Sequence, residues 1–215
     1  MKTTVDALCI GQPRPFNGAE MSAIGKLPAD GPLDIRSFGI VGDMVADPKV
    51  HGGPDMAVHL YPRDHYAWWR DQIGPHPLLD SANAFGENIV ASNIDDSVVH
   101  IGDRFRLGSA LLEISQPRQP CWKIEHHFGT KGMVAKIVTS HRCGWYFRVL
   151  EEGTAQAGDT LERVEEGHTD WSVARLFAKL YDKAHKASAD ELREIAALDR
   201  LCDLWRNKVR EAIAD

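Results

Sequence analysis

Apolar and polar residues alternate along much of the first 165 positions of the chain, and this period of two predicts β-strands. In TVDALCIG the apolar residues recur at Val5, Ala7 and Cys9, and in MAVHLY Val58 and Leu60 fall on one side. Segments rich in glycine, proline and aspartate separate these runs, which is typical of frequent turns. The pattern therefore indicates that the first part of the chain is mainly β.

The same reading predicts further strands in FGENIVAS, SVVHIGDRFRLG, ALLEIS, GWYFRVLEEG and DTLERVEE. Gly108 and Ser109 lie between RFRL and ALLEI, which indicates a tight hairpin with glycine at its first central position. Short helices are predicted in RDHYAWWRDQI, IEHHF and KGMVAKIVTS. The second arm of the hairpin runs into SQPRQPCWK, so we expect this segment to form a loop that leaves a strand end.

The hydrophobic pattern changes near position 169, after which glycine and proline are absent and the apolar spacing becomes helical. Val173 and Phe177 begin one apolar face, and Ser188 with Glu191 three residues later fits a capping box. These signals predict a small module of two or three helices that packs on the β part of the chain.

Length and composition allow one good hydrophobic core with a small appendage, since the chain has 215 residues and 43% hydrophobic content. We expect an α+β protein of mainly β character, with a β domain over residues 1–165 and a helical module over residues 166–215. The net charge of −6 argues against nucleic acid or an anionic membrane as the main partner. The chain contains neither a long apolar run nor a signal-peptide pattern, so we expect a cytoplasmic protein with reduced thiols.

The four cysteines are widely spaced and form no CxxC pair, which disfavours a zinc site or a disulfide framework. Cys121 has an unusual context, because Arg118 and Lys123 flank it and Pro117 and Pro120 stiffen its loop. Nearby cations favour the thiolate, which attacks electrophiles and binds metals. From the residues alone, a functional thiol and a buried structural cysteine remain equally open for Cys121.

Two other motifs are candidates for ligand binding. The glycines of KVHGGPD let the backbone at His51, Gly52 and Gly53 approach an anion, although a plain turn explains them as well. In FGEN, the amide of Asn88 suits a polar heterocycle, and a turn-and-cap role is the alternative. The histidine spacings match no common zinc pattern, and no phosphate-binding glycine loop or serine-nucleophile motif appears.

Four segments in fixed order resemble the MOSC domain family, and its YiiM-like branch in particular: GIVGDMVADPKVHGGPDMAVHLYPRDHYAWW, FGENI, IGDRFRLGSALLEISQPRQPCWK and GWYFRVLEEG. The resemblance covers roughly residues 1–165, and the helical tail is similar to the three-helix module of that branch. It implies a MOSC-type β-barrel that binds the molybdenum cofactor, molybdopterin. It also implies that Cys121, the cysteine of the PRxPC segment, ligates molybdenum.

The resemblance further implies an oxidoreductase that detoxifies N-hydroxylated compounds, such as 6-hydroxylaminopurine and amidoximes, by oxygen-atom transfer. On this reading Arg118, Lys123 or the backbone of His51, Gly52 and Gly53 supplies donors to the cofactor phosphate, while Asn88 is the candidate for recognising the pterin. We also expect His51, His59 and Tyr61 to be proton donors. No flavin, haem or iron–sulfur motif appears, so electrons are expected from an external reductase.

Two other functions remain open at this stage. In the first, Cys121 carries a persulfide or holds the cofactor for delivery, as in a sulfurase or carrier protein. In the second, the chain is a binding module and Cys121 is structural. Neither the physiological substrate nor a homodimeric state can be read from these residues.

Overall fold

A closed, mixed β-barrel forms the centre of the protein, in a computed structural model that describes residues 1–47 and 52–214. His51, one of the predicted cofactor-binding residues, lies outside the described residues. The strands are β1 (Lys2–Ile10), β2 (Arg14–Asn17), β3 (Glu20–Ser22), β4 (Leu27–Pro28), β5 (Leu33–Arg36), β6 (Gly39–Ile40), β7 (Val58–Pro62), β8 (Ile89–Ala91), β9 (Arg104–Leu107), β10 (Ala110–Pro117), β11 (Trp145–Glu151), β12 (Gly153–Ala155) and β13 (Thr160–Glu165). The predicted fold class is therefore confirmed.

The barrel closes in the order β1-β13-β9-β10-β11-β7-β8, because β1 pairs with both β13 and β8. β7 and β8 are parallel, and the other barrel pairs in the described part of the chain are antiparallel. β4 extends the sheet from the edge of β1, while β12, β5 and β6 form a small separate sheet and β2 pairs with β3. Closure gives the barrel strands partners on both sides and protects their edges.

Burial along β7 departs from simple alternation, since all five residues from Val58 to Pro62 are buried. His59 and Tyr61 share one side of the strand and Val58 and Leu60 share the other. The indole N–H of Trp69, in a helix outside the barrel, donates to the Tyr61 hydroxyl at 2.6 Å. Both faces of β7 are therefore covered, one by the barrel interior and one by packed loops and helices.

The predicted Gly108-Ser109 hairpin is confirmed, with Leu107 opposite Ala110 and Gly108 at a φ of 54°. The prediction of a strand that begins at SVVHIGD is wrong, because this stretch forms turns and β9 starts only at Arg104. The cause is Asp103, which is fully buried and accepts the backbone N–H groups of His100 at 3.0 Å and Gly167 at 2.7 Å. These hydrogen bonds fold the chain back on itself.

Seven α-helices occur among the described residues: α1 (His65–Ile73), α2 (Pro77–Asp80), α3 (Lys123–Phe128), α4 (Met133–Ser140), α5 (Val173–Tyr181), α6 (Ala189–Ala197) and α7 (Asp203–Ala214). Short 3-10 helices cover Pro54–Met56 and Lys183–His185. The predicted capping box is confirmed, as the Ser188 side chain accepts the Glu191 N–H and the Glu191 carboxylate accepts the Ser188 N–H.

The helical tail packs directly on the barrel, and residues of both parts share one hydrophobic core. Cys202 connects them at the strand that carries the cysteine loop: its N–H donates to the Ser115 carbonyl at 2.9 Å, and its Sγ donates to Gln116 Oε1 at 2.9 Å. That the tail is a separate domain stays a prediction. Across the described residues, no helix is both long and apolar enough to cross a membrane.

Candidate functional site

The cysteine loop leaves the end of β10, as the sequence predicted. Pro117, the last residue of the strand, pairs with Trp145, and the Arg118 N–H donates to the Gly144 carbonyl at 2.9 Å. The chain then turns, and the carbonyl of Cys121 accepts the Ile124 N–H at 3.1 Å as α3 begins. A strand on one side and a helix on the other therefore fix the thiol in place.

Cys121 lies where two cavities meet. The first has a volume of about 290 Å³ and is lined by the β3–β4 region, the start of β7, the FGEN turn and the cysteine loop. The second has a volume of about 540 Å³ and lies between the cysteine loop and the helical tail. Met56, Lys123 and Tyr146 join Cys121 in lining both. Cys121 therefore lines both cavities.

Every predicted cofactor-binding residue that the structure describes lines the first cavity. These residues come from three distant parts of the sequence: Gly52, Gly53, Asn88, Arg118 and Lys123. The role of each remains a prediction, but the fold brings them together around Cys121.

Arg118 is a buried cation, with only 7% of its surface exposed. Its Nη1 has no hydrogen-bond partner among the described residues, and its Nη2 lies 3.5 Å from the Phe85 carbonyl oxygen. A buried donor without a partner costs free energy, so such groups in folded proteins generally have a partner or a ligand. The guanidinium is therefore suited to an anion or a polar group inside the cavity.

His59 is a second buried residue with an unused polar atom, because its Nε2 has no partner in the described part of the chain. Burial lowers the pKa of His59 well below its ordinary value, and the positive charge of Arg118 lowers it further. The imidazole is therefore neutral at physiological pH, and its Nε2 can act as a donor or an acceptor, depending on the tautomer.

Tyr146 lies beside both of these groups. Its ring centroid is 4.9 Å from that of His59, with which it is paired across β11 and β7. Burial raises the pKa of Tyr146, while the charge of Arg118 and a hydrogen bond from its side chain oppose this shift. The phenol is therefore protonated at neutral pH. Sequence reasoning missed Tyr146, although the alternation in GWYFRV already sets it on the face opposite Trp145 and Phe147.

Lys26 and Asp43 form an ion pair in the wall of the first cavity that the sequence did not reveal. Nζ and Oδ2 are 2.5 Å apart, and about a tenth of each side chain is exposed. Asp43 Oδ1 also accepts the Gly11 N–H at 2.7 Å. Lys26 thus has a fixed carboxylate partner, in contrast to Arg118.

The amide of Asn88 is used within the protein. Its Nδ2 donates to the Cys9 carbonyl at 3.0 Å and to Asp43 Oδ2 at 2.8 Å, and its Oδ1 accepts the His59 N–H at 3.1 Å. Both amide hydrogens therefore have protein acceptors. Asn88 links β1 and β7 behind the cavity, a role that differs from both the ligand contact and the turn-and-cap alternative considered for FGEN.

The Gly52–Gly53 segment is held against the barrel by Asp55. The Asp55 carbonyl accepts the Ser115 hydroxyl at 2.6 Å, and its Oδ1 accepts Arg148 Nε at 2.7 Å. Gly53 has a φ of 106°, which favours glycine. The backbone beside the first cavity is therefore anchored on one side.

Tyr61 does not reach the cavity, and its expected role as a proton donor is wrong. Its ring stacks on Phe85 at a centroid distance of 4.0 Å, and Phe85 itself lines the first cavity. The Tyr61 hydroxyl donates to the Arg142 carbonyl at 3.2 Å. Phe85 therefore separates Tyr61 from the site.

The other three cysteines, Cys9, Cys143 and Cys202, are buried. Burial raises the pKa of Cys9 and of Cys202 to about 11, and it raises that of Cys143 well above its ordinary value. All three are buried, whereas Cys121 is partly exposed. Among the four thiols, Cys121 is therefore the accessible one.

The second cavity has a mixed lining, in which apolar and ring-bearing side chains stand beside polar and charged ones such as Glu20 and Gln119. Trp122, with 42% of its surface exposed, and Leu204, with 55%, both line it. Pro117, Pro120 and Trp205 add to the apolar part. Such a surface suits a flat, partly apolar ligand.

The sequence profile of the MOSC domain matches residues 47–162. Protein YiiM of Escherichia coli strain K12 is 38% identical over 154 residues, which cover 72% of this chain and 69% of that protein. A protein named Reductase from Gibberella moniliformis is 37% identical over 201 residues; the match covers 92% of this chain and only 35% of that protein. The crystal structure of YiiM from Geobacillus stearothermophilus superimposes with a TM-score of 0.82 at 27% identity, covering 98% of this chain and 99% of that one.

Proposed function

Because the chain belongs to the MOSC domain family, we propose that it holds the molybdenum cofactor, molybdopterin, in the first cavity and reduces N-hydroxylated compounds. The substrates proposed are 6-hydroxylaminopurine-like bases and amidoximes. The observation that supports this proposal most directly is that Arg118 and His59 line the same cavity as Cys121, while each has a buried nitrogen, Nη1 and Nε2, with no partner among the described residues.

The residues of the cavity fit such a cofactor chemically. A phosphate needs charge-assisted donors, and Arg118, whose Nη1 has no partner in the described part of the chain, lines the cavity. A pterin needs neutral polar partners, and the uncharged His59 ring supplies a donor or an acceptor. A soft metal ion prefers thiolate ligands, and Cys121 is the accessible thiol. The residues that meet these three requirements all line the first cavity.

We assign each contact with the cofactor to a specific group of the protein. Cys121 Sγ is the metal ligand, and Arg118, Lys123 and the Gly52–Gly53 backbone are the phosphate partners. Lys123 has weak competing contacts, since its Nζ is 3.4 Å from the Met21 carbonyl oxygen and 4.0 Å from a Glu20 carboxylate oxygen. His59 takes the pterin contact in place of Asn88, whose amide hydrogens already have protein acceptors.

When bound, the cofactor supplies the two electrons that convert an N–OH group into an amine and water, a change that also consumes two protons. Tyr146 is the proton donor in this proposal, because its phenol is protonated and lines both cavities. Arg118 beside it stabilises the phenolate left after transfer. Electrons reach the site from a separate reductase.

We place the substrate in the second cavity, which meets the first at Cys121. Trp122 and Leu204 offer apolar surface to a purine-like ring, since a flat aromatic surface gains by stacking and by leaving water. The helical tail supplies Leu204 and Trp205 and therefore forms part of the wall of the substrate site.

The test is molybdenum content by mass spectrometry on protein from a cofactor-competent host, with reduction of 6-hydroxylaminopurine assayed on the same samples. Cys121→Ser is compared with Cys202→Ser, a matched control whose hydroxyl retains a donor toward Gln116. We expect near-stoichiometric metal and turnover in the wild type and the control, and little of either in Cys121→Ser. Full metal and activity in Cys121→Ser would remove the thiolate from the proposal.

The carrier alternative has its own signature in this experiment. If the wild type holds no molybdenum and shows no turnover, but Cys121 releases sulfur on treatment with cyanide, the chain is a persulfide or cofactor carrier. The absence of metal, turnover and labile sulfur would identify a binding module in which Cys121 is structural.

A further inference from the structure

A group of potential metal ligands lies outside both cavities, where the end of α4 meets the 3-10 helix Lys183–His185. We propose that His141, Asp182 and His185 bind a divalent transition-metal ion of the Zn²⁺ type. This inference is independent of the proposed reductase function, because none of the three residues lines either cavity.

The three ligand atoms converge on one point. His141 Nε2 is 3.0 Å from Asp182 Oδ2, and His185 Nδ1 is 2.9 Å from the same oxygen. All three atoms lie within 4.8 Å of one another. Ligands around a tetrahedral Zn²⁺ with bonds near 2.1 Å are about 3.4 Å apart. Each imidazole nitrogen must therefore move away from Asp182 Oδ2 by about half an ångström, and the two nitrogens must reach the same spacing from each other. His185 has room for this adjustment, because 57% of its side chain is exposed.

The two carboxylate oxygens of Asp182 have different partners. Asp182 Oδ1 accepts the Ala184 N–H at 2.9 Å and caps the 3-10 helix, which leaves Oδ2 for the two imidazoles. A hydrogen bond of this kind fixes the orientation of a metal-binding carboxylate. The 3-10 geometry also brings residues i and i+3 to the same side, so that His185 lies next to Asp182.

His141 is held in place by its backbone. It follows α4 in the left-handed region with a φ of 60°, and its N–H donates to the Ile137 carbonyl at 2.9 Å. This conformation is uncommon for a residue other than glycine. It turns the imidazole toward Asp182, which lies 41 residues further along the chain.

Exposure decreases from one side of the group to the other. The side chain of His185 is 57% exposed, that of His141 21% and that of Asp182 11%. An ion can therefore enter beside His185, and a water molecule can fill the fourth position that three protein ligands leave open. Two nitrogens and one carboxylate oxygen form a donor set that suits Zn²⁺.

The same distances also fit a metal-free arrangement, in which two neutral imidazoles each donate an N–H to one carboxylate. The two arrangements differ in a measurable way. A hydrogen-bonded group gives no saturable metal binding, whereas a metal site gives one equivalent per chain that depends on His185.

The experiment is a calorimetric titration of the chelator-treated full chain with Zn²⁺, in a Cys121→Ser background so that this thiol does not compete. His185→Gln removes one ligand. His168→Gln is the matched control, since it removes an imidazole from another His–Asp pair in the tail, with Nε2 and Asp199 Oδ1 3.0 Å apart.

We expect one saturable Zn²⁺ site in the parent and in His168→Gln, and an affinity lower by at least about tenfold in His185→Gln. Co²⁺ should give visible ligand-field bands without the near-ultraviolet sulfur charge-transfer band, and Zn²⁺ should raise the melting temperature of the parent but not of His185→Gln. The proposal is overturned if the parent shows no saturable binding, or if His185→Gln binds Zn²⁺ as the parent does.

Discussion

Tyr146 and His59 occupy paired positions on neighbouring strands, and their ring centroids are 4.9 Å apart in the first cavity. One is a protonated phenol and the other a neutral imidazole, because burial acts on both. Arg118 interacts electrostatically with each of them. The pair therefore combines a proton donor with a neutral ligand contact next to the cysteine loop.

Tyr146→Phe removes the hydroxyl and leaves the ring packed against His59. We expect kcat for 6-hydroxylaminopurine reduction to fall by about 100-fold, the lower end of the contribution of a general acid. Molybdenum content should be unchanged, because the proposed metal ligand is Cys121. Steady-state kinetics and metal analysis on one preparation test this prediction.

Tyr61→Phe is the control for that substitution. It deprives the buried Trp69 N–H of its acceptor, so the free energy of unfolding should fall by about 1–3 kcal/mol. The value of kcat per bound molybdenum should stay close to that of the wild type. Equal losses of kcat in both variants would show that Tyr146 has no special role in proton transfer.

Arg118→Gln tests whether the guanidinium, whose Nη1 has no partner among the described residues, serves the fold or the ligand. Arg118 forms no ion pair with a carboxylate in the described part of the chain, so its removal should leave the free energy of unfolding of the cofactor-free protein unchanged or higher. Retention of the cofactor should fall by about 10- to 100-fold, since a hydrogen bond to a charged group contributes about 1.5–3 kcal/mol.

Arg148→Gln gives the contrasting result for a paired arginine. Arg148 binds Asp55 at 2.7 Å and Glu113 at 2.9 Å, so its loss should destabilise the fold by about 1–3 kcal/mol, the cost of leaving a buried group without its partner. Urea unfolding of the two cofactor-free variants measures the difference. A drop of more than about 2 kcal/mol in Arg118→Gln would assign that arginine to the fold instead.

Leu204→Asp tests the second cavity as the substrate site. A carboxylate in its apolar wall should raise KM for a purine-like substrate by about tenfold, because burying it against the ring is unfavourable. Ile213→Asp is the control, as Ile213 is 40% exposed on the same helix and does not line the cavity. Unchanged KM in Leu204→Asp would move the substrate elsewhere.

Glu87 makes stability depend on pH. Burial raises its pKa from an ordinary 4.5 to about 7, so between these values the folded state holds a proton that the unfolded state releases. The free energy of unfolding therefore falls as pH rises through this range, by on the order of 3 kcal/mol. Glu87→Gln cannot titrate and should lose this contribution.

Urea unfolding at pH 5 and pH 8 measures the effect as a difference between the two proteins, which removes the contribution of all other groups. Tyr66 and the Phe85 N–H donate to Glu87, so Glu87→Gln will also shift stability by a constant amount. The prediction concerns only how the difference in free energy of unfolding between the wild type and Glu87→Gln changes with pH. An identical pH dependence in both proteins would contradict it.

Local features of the fold were readable in the sequence because neighbouring residues determine them. A glycine with positive φ specifies the Gly108-Ser109 hairpin, and a serine three residues before a glutamate specifies the start of α6. The stiff loop around Cys121 follows from its prolines and from the strand before it. The failure at SVVHIGD has a long-range cause, since the N–H of Gly167 reaches Asp103 across 64 residues.

By itself, the sequence determined the family, the β-rich barrel with its helical tail, and Cys121 as the thiol to consider. Only the tertiary structure decided which groups surround that thiol. Strand register placed Tyr146 beside His59, and the packing of the tail brought Leu204 to the second cavity. The same packing of distant segments gave Asn88 protein partners and left Arg118 Nη1 without one in the described chain. Hydrogen bonding and burial depend on tertiary contacts between segments that are distant in the sequence. Local sequence does not determine those contacts.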